Sequence, residues 1–290
     1  MNKKIVYGTA RLSDNNYGRS NNINLNQKDI NSLNKFIDNN KNIKSYEIAT
    51  GYKNSIKNSL KIMKKEIHLK ITKIVNNKQK TESYINNIIN EYLLKTGRKK
   101  IDILYLHQSS LKDISNLTVL KVLKNLKKKR KIKHIGVSLY NLKELRYALR
   151  SKIINVIQIP INIADTFLYS KIPDKSKKII VARSVYLQGT LVNKVKKHPY
   201  KEEINFFKKK LKTMCKNNRL EYFRIVTSFA FNLKNVDFVI FGSIKKNNLN
   251  KSLNSIFKIK KENMEIFYNN SKKFKKWSNP RNWFDQKHVV

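Results

Sequence analysis

Residues 101–107 read IDILYLH, a short apolar run that is rich in β-branched residues and ends on a histidine. Such a run predicts a β-strand. Similar runs occur along the chain at residues 4–10, 44–50, 67–74, 134–139, 156–163, 178–186 and 237–243. The sequence therefore predicts a series of strands from one end of the chain to the other.

The segments between these runs carry apolar residues at helical spacing, as in Ile30, Leu33 and Ile37. Thr81 is placed to cap the helix before residues 101–107, and Gly97 lies just beyond its expected end, where a left-handed residue is needed. Strands that alternate with helices predict a parallel sheet in an α/β fold. Eight such units predict a (β/α)8 barrel, the TIM barrel.

The domain organisation follows from the length of the chain and from the absence of linkers. The chain has 290 residues, close to the ~250 residues of a typical barrel of this kind. No stretch rich in proline, glycine or serine divides it. We therefore expect one barrel domain over residues 1–290, with only a very short helix within 164–177. A basic amphipathic helix should begin at about residue 257, and residues 279–283 should be free of helix.

Cysteine content and hydropathy limit the cellular context. A single cysteine, Cys215, excludes an intramolecular disulfide and a cysteine-based zinc cluster, and no metal is expected. Cys215 lies in a predicted helix, where we expect it to pack. The apolar run near the N-terminus is too short for a signal peptide, and no stretch approaches the ~20 apolar residues of a membrane helix. We expect a cytoplasmic protein without a membrane partner.

The formal net charge is +44, from 63 Lys and Arg against 19 Asp and Glu. Such an excess ordinarily indicates nucleic acid or an anionic membrane as partner. Here the basic residues are scattered in short runs such as 127–131, and they accompany an abundance of Asn and Ile. A solvated basic surface is therefore favoured over a polyanion site, although both interpretations stay open. No specific nucleic-acid partner is expected, because scattered lysines give weak, salt-sensitive binding.

Polar residues interrupt the apolar runs near their C-terminal ends. In a TIM barrel these strand ends, with the loops that follow, form the active site. Each residue alone also has a structural interpretation, for example as a core histidine or as one of 14 tyrosines. Together they predict one active site at this end of the barrel. The residues that contribute to it are Glu47 with nearby Tyr52, Lys73, His107, Ser138, Gln158 with Asn162, Arg183 with Ser184, and Ser243.

At this point the sequence resembles the aldo-keto reductase family. The resemblance rests on motifs that follow one another in the family's order over nearly the whole chain. They are GTA at 8–10, EIATGY at 47–52, ITK at 71–73, LYLH at 104–107, IGVS at 135–138, IQIPIN at 157–162, ARSVYLQG at 182–189 and VIFGS at 239–243. The resemblance implies a (β/α)8 barrel that reduces carbonyl compounds with a nicotinamide cofactor.

The family's catalytic tetrad of Asp, Tyr, Lys and His is implied at Glu47, Tyr52, Lys73 and His107. Tyr52 would donate the proton, and Lys73, held by Glu47, would lower the phenol pKa from its usual value of about 10. His107 would hydrogen-bond the substrate oxygen. Glutamate stands where the family has aspartate, which displaces the carboxylate by roughly 1.5 Å. Lys53, which follows Tyr52, either acts on the phenol or faces solvent.

The resemblance also implies a dinucleotide site. Ser138, Gln158 and Asn162 match positions that hold the nicotinamide carboxamide, although Leu139 replaces a common asparagine. Arg183 would stack on the nicotinamide ring or pair with a phosphate, with Ser184 beside it. The loop that grips the adenosine 2′-phosphate in NADPH-using members corresponds to Gly242, Ser243, Lys245, Lys246 and Asn248, and its lysines favour NADP(H) over NAD(H).

The leading hypothesis is an NADP(H)-dependent reductase of an aldehyde or ketone of a small metabolite, with a sugar among the candidates. The alternative is an NADP(H)-binding barrel whose catalysis is impaired by the changes at Glu47, Lys53 and Leu139 and which acts through a protein partner. A polyanion binder is a third hypothesis, on net charge alone. Arg11, Tyr17 and Tyr186 are the recognisable anchors in the specificity loops. A monomer or a weak homo-oligomer is expected, because a basic protein repels itself.

Overall fold

The computed structural model describes residues 4–13, 25–52, 57, 62, 64–72, 78–107, 110–195 and 197–283. Eight parallel strands form a closed barrel in which each strand pairs with the next along the chain and the last pairs with the first. This confirms the predicted (β/α)8 barrel. The strands are β1 Lys4–Gly8, β2 Ile43–Ala49, β3 Glu66–Thr72, β4 Ile101–His107, β5 Ile132–Ser138, β6 Val156–Pro160, β7 Ile179–Arg183 and β8 Phe238–Phe241.

Helices follow the strands on the outside of the barrel. They are α1 Ala10–Ser13, α2 Gln27–Asn39, α3 Lys78–Thr96, α4 Leu111–Ile114, α5 Leu117–Lys128, α6 Leu142–Arg150, α7 Lys201–Asn217, α8 Tyr222–Ser228, α9 Lys246–Asn254 and α10 Lys261–Ser271. Short 3-10 turns occur at Tyr169–Lys171, Phe229–Asn232, Lys276–Ser278 and Pro280–Asn282. Within the described ranges no helix is long and apolar enough to cross a membrane.

Several predicted element ends are confirmed, and others are wrong. Helix α3 ends at Thr96, and Gly97 follows with a φ of +63°, as predicted. Between β6 and β7 the helix is reduced to a three-residue turn. However, Thr81 lies inside α3, because this helix has already begun at Lys78. The end of the chain also contains a 3-10 turn after Asn279, whose side chain caps it, so the prediction of a helix-free end is wrong.

The outer layer of the core lies between the strands and the helices. Ile37 of α2, Ile89 of α3 and Leu123 of α5 are fully buried there, as their spacing predicts. Cys215 is buried in α7, and burial raises its pKa to about 11, so the thiol is a packing group. The helices therefore pack against the barrel through the apolar faces that the sequence predicts.

The inside of the barrel contains alternate residues of the strands. The ring of Tyr105 is buried in this interior, and a Cβ at Gly136 on β5 would approach it to 2.6 Å. A glycine is thus required opposite Tyr105. Toward the C-terminal ends of the strands the interior becomes polar, with Glu47, Lys70 and Gln158 all buried. This polar layer is the floor of the candidate site.

Candidate active site

A cavity of about 420 Å3 opens at the C-terminal ends of the strands. Its lining includes Glu47, Tyr52, Lys70, His107, Arg183, Ser184, Gly242, Ser243 and Asn248, together with Arg11, Tyr140, Tyr186, Gln188, Phe223, Lys251 and Ser252. Most of the residues that the sequence predicted for the site thus lie in one cavity. Tyr17, Lys53 and Lys73 lie outside the described residues.

Another cavity of similar volume lies at the opposite end of the barrel, beside Asp102 and Asp237. Both carboxylates already accept a backbone N–H from a neighbouring strand, Asp102 from Ile67 and Asp237 from Ile180. These contacts stabilise the sheet. The catalytic residues of TIM barrels are found at the other end, so we place the candidate site at the C-terminal end.

The central ion pair of the site joins Glu47 of β2 to Lys70 of β3. Lys70 Nζ lies 2.6 Å from Glu47 Oε1, and Lys70 and Glu47 are 3% and 5% exposed. Burial lowers the pKa of Lys70, and the carboxylate opposes that shift. The lysine that the structure places against Glu47 is therefore Lys70, whereas the sequence motif indicated Lys73.

A signal for Lys70 was present in the sequence. Side chains alternate between the two faces of a strand, and β3 presents His68, Lys70 and Thr72 on one face. Lys70 contacts the interior residue Glu47, and Thr72 contacts His107, so this face is the interior of the barrel. A lysine in the middle of a buried strand is rare unless it is paired. That rarity, rather than the family motif, points to Lys70.

The carboxylate of Glu47 is held from a second side. Gln158 Nε2 donates to Glu47 Oε2 at 2.6 Å, and Ser138 Oγ donates to Gln158 Oε1 at 2.9 Å. Gln158 and Ser138 are buried and face this network, so in the structure their polar atoms serve Glu47 and each other. The longer glutamate reaches both Lys70 and Gln158.

Shortening this carboxylate is expected to destabilise the fold. Glu47→Asp removes one methylene, so one of the two buried partners loses its hydrogen bond, at a cost of about 1–3 kcal/mol. Chemical denaturation measures the change in the free energy of unfolding. Glu91→Asp is the matched control, because Glu91 pairs with Lys95 on the exposed face of α3 and such a pair contributes about 0.5 kcal/mol or less. Equal effects of the two changes would contradict the bidentate role of Glu47.

His107 ends β4 and faces the same cavity. Its Nδ1 lies 2.9 Å from Thr72 Oγ1. Burial, followed by the charges of Lys70, Arg183 and Arg281, holds the imidazole pKa well below its usual value of 6.5. The ring is therefore neutral at neutral pH. When the Thr72 hydroxyl donates to Nδ1, Nε2 carries the hydrogen and is a donor for an oxygen in the cavity.

Tyr52 lies beside His107 with its ring nearly perpendicular, and the two centroids are 6.1 Å apart. The loop that carries Tyr52 approaches β3 closely at Gly51, where a Cβ would come within 2.9 Å of Thr72. Glycine in the motif ATGY thus lets the loop pack against the residue that holds His107. The structure brings Glu47, Tyr52 and His107 together, as the sequence predicted.

The loop after β7 has an unusual backbone. Ser184, Leu187, Gln188 and Gly189 all have positive φ angles, which for the non-glycine residues is a sparsely populated conformation. Asn162, which is fully buried, holds this loop by donating from Nδ2 to the carbonyl oxygen of Ser184 at 3.2 Å. Such strain is concentrated at binding sites. It here shapes one wall of the cavity.

Arg183 is engaged beside the cavity floor. Its guanidinium lies 3.9 Å from the centroid of the Tyr140 ring and donates to the carbonyl oxygen of Leu139 at 2.9 Å. In the structure the aromatic partner of Arg183 is therefore Tyr140. Leu139 stands where the family often has asparagine, and its backbone carbonyl accepts the hydrogen bond from Arg183.

The loop and helix after β8 form the far end of the cavity. Lys245 is an exposed residue that precedes α9, and its backbone N–H donates to Ser243 Oγ at 3.2 Å. Lys246 lies 5.4 Å from the centroid of the Phe36 ring. Lys251 lines the cavity and lies 4.7 Å from the Phe223 ring. Lys251 is thus a cation of this wall that the motif match did not select.

Comparisons with known proteins bear on the family and the fold. The model of the aldo/keto reductase family matches residues 4–269. A search of curated proteins gave no significant match. Among solved structures, an aldo-keto reductase of Bacillus halodurans in its holo form superposes with a TM-score of 0.74 at 14% identity, over 92% of each chain.

Two further solved structures share the fold. A glycerol dehydrogenase of Gluconobacter oxydans has a TM-score of 0.69 at 15% identity, over 91% of this chain and 90% of that one. An aldo/keto reductase of Klebsiella pneumoniae in complex with NADP and acetate has a TM-score of 0.67 at 11% identity, over 92% and 91%. At such identities the likeness concerns the fold alone. Since the family model spans the barrel from β1 into α10, the chain belongs to the aldo/keto reductase family.

Proposed function

We propose that the protein is an NADP(H)-dependent oxidoreductase that reduces an aldehyde or ketone of a small metabolite to the alcohol. The observation that carries the proposal is the buried Glu47–Lys70 ion pair in the same cavity as Tyr52 and His107. Membership of the aldo/keto reductase family supports it, as do the holo and NADP-bound relatives that share the fold.

Each of the four residues has a role that its chemistry suits. Tyr52 donates a proton to the carbonyl oxygen, and the Lys70 ammonium makes the phenol a stronger acid because a nearby cation favours phenolate. Glu47 fixes that ammonium. The neutral imidazole of His107 donates a hydrogen bond to the same oxygen and stabilises the negative charge that develops there. In this proposal Lys70 takes the role that the motif assigned to Lys73.

The residues present fit a nicotinamide dinucleotide. Arg183 Nε is a buried donor without a partner in the described part of the chain, and Gly242 borders the cavity where a Cβ would come 3.0 Å from the Gly8 carbonyl oxygen. Reduced nicotinamide supplies the hydride to the carbonyl carbon when it is bound. Ser184, Ser243, Asn248 and Lys251 would hold the nucleotide along the wall formed by the β7 and β8 loops.

Lys251 is proposed to favour NADP(H) over NAD(H). An ammonium that contacts a phosphate contributes about 1.5–3 kcal/mol, so Lys251→Gln should weaken NADPH binding by about 10- to 100-fold and leave NADH binding nearly unchanged. Fluorescence titration with each nucleotide measures both. Lys245→Gln removes the same charge from a residue outside the cavity lining, and should have little effect. If Lys245→Gln weakened NADPH binding more than Lys251→Gln did, the phosphate contact would be assigned to Lys245 instead.

The impaired-barrel alternative is disfavoured by the Glu47 contacts. Its main motivation was the replacement of aspartate, yet this glutamate forms an ion pair of 2.6 Å with Lys70. Because Glu47 holds Lys70 in place, the lysine can still act on Tyr52, the proposed acid of the site. The alternative would be favoured if the protein bound NADPH tightly but reduced no compound in a broad screen of carbonyls.

The test begins with a fluorescence titration of the protein with NADPH and NADH at physiological salt, with a polyanion as competitor. It continues with a screen of aldehydes and ketones followed by NADPH consumption. Saturable binding that resists the competitor, together with turnover of at least one carbonyl, would support the proposal. If neither nucleotide binds, the cavity has another ligand and the proposal fails.

A further inference from the structure

Two guanidinium groups enclose one aromatic ring at the edge of the active-site cavity. Arg183 Cζ lies 3.9 Å and Arg281 Cζ lies 3.8 Å from the centroid of the Tyr140 ring. Groups this close to one centroid would collide on the same face, so they lie on opposite faces. Arg281 comes from the 3-10 turn Pro280–Asn282, and the adjacent Trp283 anchors this turn through its buried indole, which donates to the Trp277 carbonyl oxygen at 2.7 Å.

This pair of cations has no counter-ion in the described residues. Arg183 is 8% exposed, and its donors found in the described ranges go to neutral oxygens, the Leu139 carbonyl at 2.9 Å and Ser184 Oγ at 3.3 Å. The ion pairs of the described part join other residues. A ring face attracts a cation, but by only about 0.5–2 kcal/mol. A buried guanidinium is otherwise stable when an anion neutralises it.

Among the described residues, two carboxylates within electrostatic range already have other hydrogen-bond partners. Glu144, which acts on Arg281, accepts from Asn141 Nδ2 at 2.7 Å. Asp165, which interacts electrostatically with Arg183, accepts hydrogen bonds from Ser278 Oγ at 2.8 Å and from the Phe167 backbone N–H at 2.9 Å. Neither forms an ion pair with the stacked arginines. The positive charge is therefore available to a ligand.

The position of the stack indicates which ligand. Tyr140 follows β5, and His107 ends the adjacent strand β4, whereas Lys251 belongs to the helix after β8. In a closed eight-stranded barrel β4 and β5 lie across from β8. The stacked arginines are thus on the side of the hydrogen-bond donor for the carbonyl and away from the wall proposed for the adenosine phosphate. An anion bound there belongs to the molecule that carries the carbonyl.

We infer that the substrate is an aldehyde or ketone that also carries a carboxylate or phosphate, which binds the guanidinium of Arg281 on one face of Tyr140, while Arg183 on the other face adds to the positive charge. The inference rests on the proposed carbonyl reduction and adds its substrate class. Arg281 is a specificity-determining residue in this view. The net charge of +44 would also draw such an anion toward the protein at low ionic strength.

The experiment compares matched neutral and anionic aldehydes as substrates with NADPH. One pair is benzaldehyde and 4-carboxybenzaldehyde, and the other is glyceraldehyde and glyceraldehyde 3-phosphate, so the two pairs separate carboxylate from phosphate. The measured quantity is the ratio of kcat/KM for the anionic over the neutral compound. In at least one pair the ratio should exceed one and fall at least tenfold, or about 1.4 kcal/mol, in Arg281→Gln. Arg281→Lys should retain part of it.

Controls separate this inference from the proposed function. Arg150→Gln removes the same charge from the exposed end of α6 and should leave the ratio unchanged. Reduction of neutral and anionic aldehydes at equal ratios in the wild type and in Arg281→Gln would overturn the inference and leave the reductase intact. So would a large loss of NADPH affinity in Arg281→Gln without a change in the ratio, since the arginines would then serve the cofactor.

A binding measurement decides the matter without turnover. Calorimetric titration with terephthalate, an inert carboxylate of the same shape as 4-carboxybenzaldehyde, and with glycerol 3-phosphate tests the anion site in the presence of NADP. At least one should bind the wild type, and bind Arg281→Gln at least tenfold more weakly. If no aldehyde is reduced, the proposed function fails, and this titration alone tests whether an anion binds at Arg281. Equal binding to both proteins, or none to either, overturns the inference.

Discussion

Replacing Tyr52 with phenylalanine is expected to lower kcat for carbonyl reduction by about 10²- to 10⁴-fold, the usual contribution of a positioned acid. The change removes the phenolic hydroxyl and leaves the ring that lies edge-on to His107. Binding of the nucleotide should persist, because the loops after β7 and β8 are untouched. Steady-state kinetics on the best substrate of the screen, with an NADPH titration of the variant, measure both quantities.

The control for this change is Tyr147→Phe in α6, where a partly buried tyrosine packs against the core away from the cavity. It should retain turnover close to that of the wild type. If Tyr52→Phe also kept full turnover, another group would protonate the carbonyl oxygen, and Tyr52 would be a wall residue only. Loss of NADPH binding in Tyr52→Phe would instead mean that the phenol supports the nucleotide.

Most of the barrel could be predicted from the sequence because its strands are buried on both faces. Such strands are apolar at nearly every position, and β4 matches its predicted bounds, 101–107. The predicted strands at 156–163 and 178–186 are too long, since β6 ends at Pro160 and β7 at Arg183. Beyond them the chain turns at Asn162 and takes a positive φ at Ser184. These residues belong to the site rather than to the sheet.

The contacts of the site could be predicted only in part. Motif order predicted that Glu47, Tyr52 and His107 lie together, because short motifs keep a residue at a fixed distance from its strand. It did not identify Gln158 as a partner of Glu47, since that hydrogen bond joins β6 to β2 across the barrel interior. Nor did it indicate the Arg281–Tyr140 contact. The tail bends back to the β5 loop, and no local pattern encodes where a tail meets a distant ring.

The lysine that pairs with Glu47 could not be identified from sequence for a different reason. Lysine is abundant throughout this chain, so a lysine near the end of a strand carries little information by itself. The informative property of Lys70 is its burial at 3% exposure, which is tolerated only where a carboxylate compensates the desolvated charge. Alternation along β3 and pairing with β2 together create that environment.

The second large effect is therefore expected from Lys70→Met. Without the ammonium the phenol of Tyr52 should be a weaker acid, and reduction should slow by about 100-fold or more. Lys73→Met, the matched change at the lysine of the family motif, should retain most of the activity. The pH dependence of kcat distinguishes the variants, because loss of the cation moves the ionisation of the catalytic acid to higher pH.

Lys70→Met also leaves Glu47 buried without its cation, which destabilises a protein by about 3–5 kcal/mol. The double change Glu47→Gln with Lys70→Met restores a neutral interior, and the amide oxygen of the introduced glutamine remains an acceptor for Gln158. Recovery of folding in the double variant without recovery of turnover would assign the catalytic loss to the missing ammonium. If instead Lys73→Met abolished turnover and Lys70→Met did not, Lys70 would be a structural partner of Glu47, and the acid of the site would depend on Lys73.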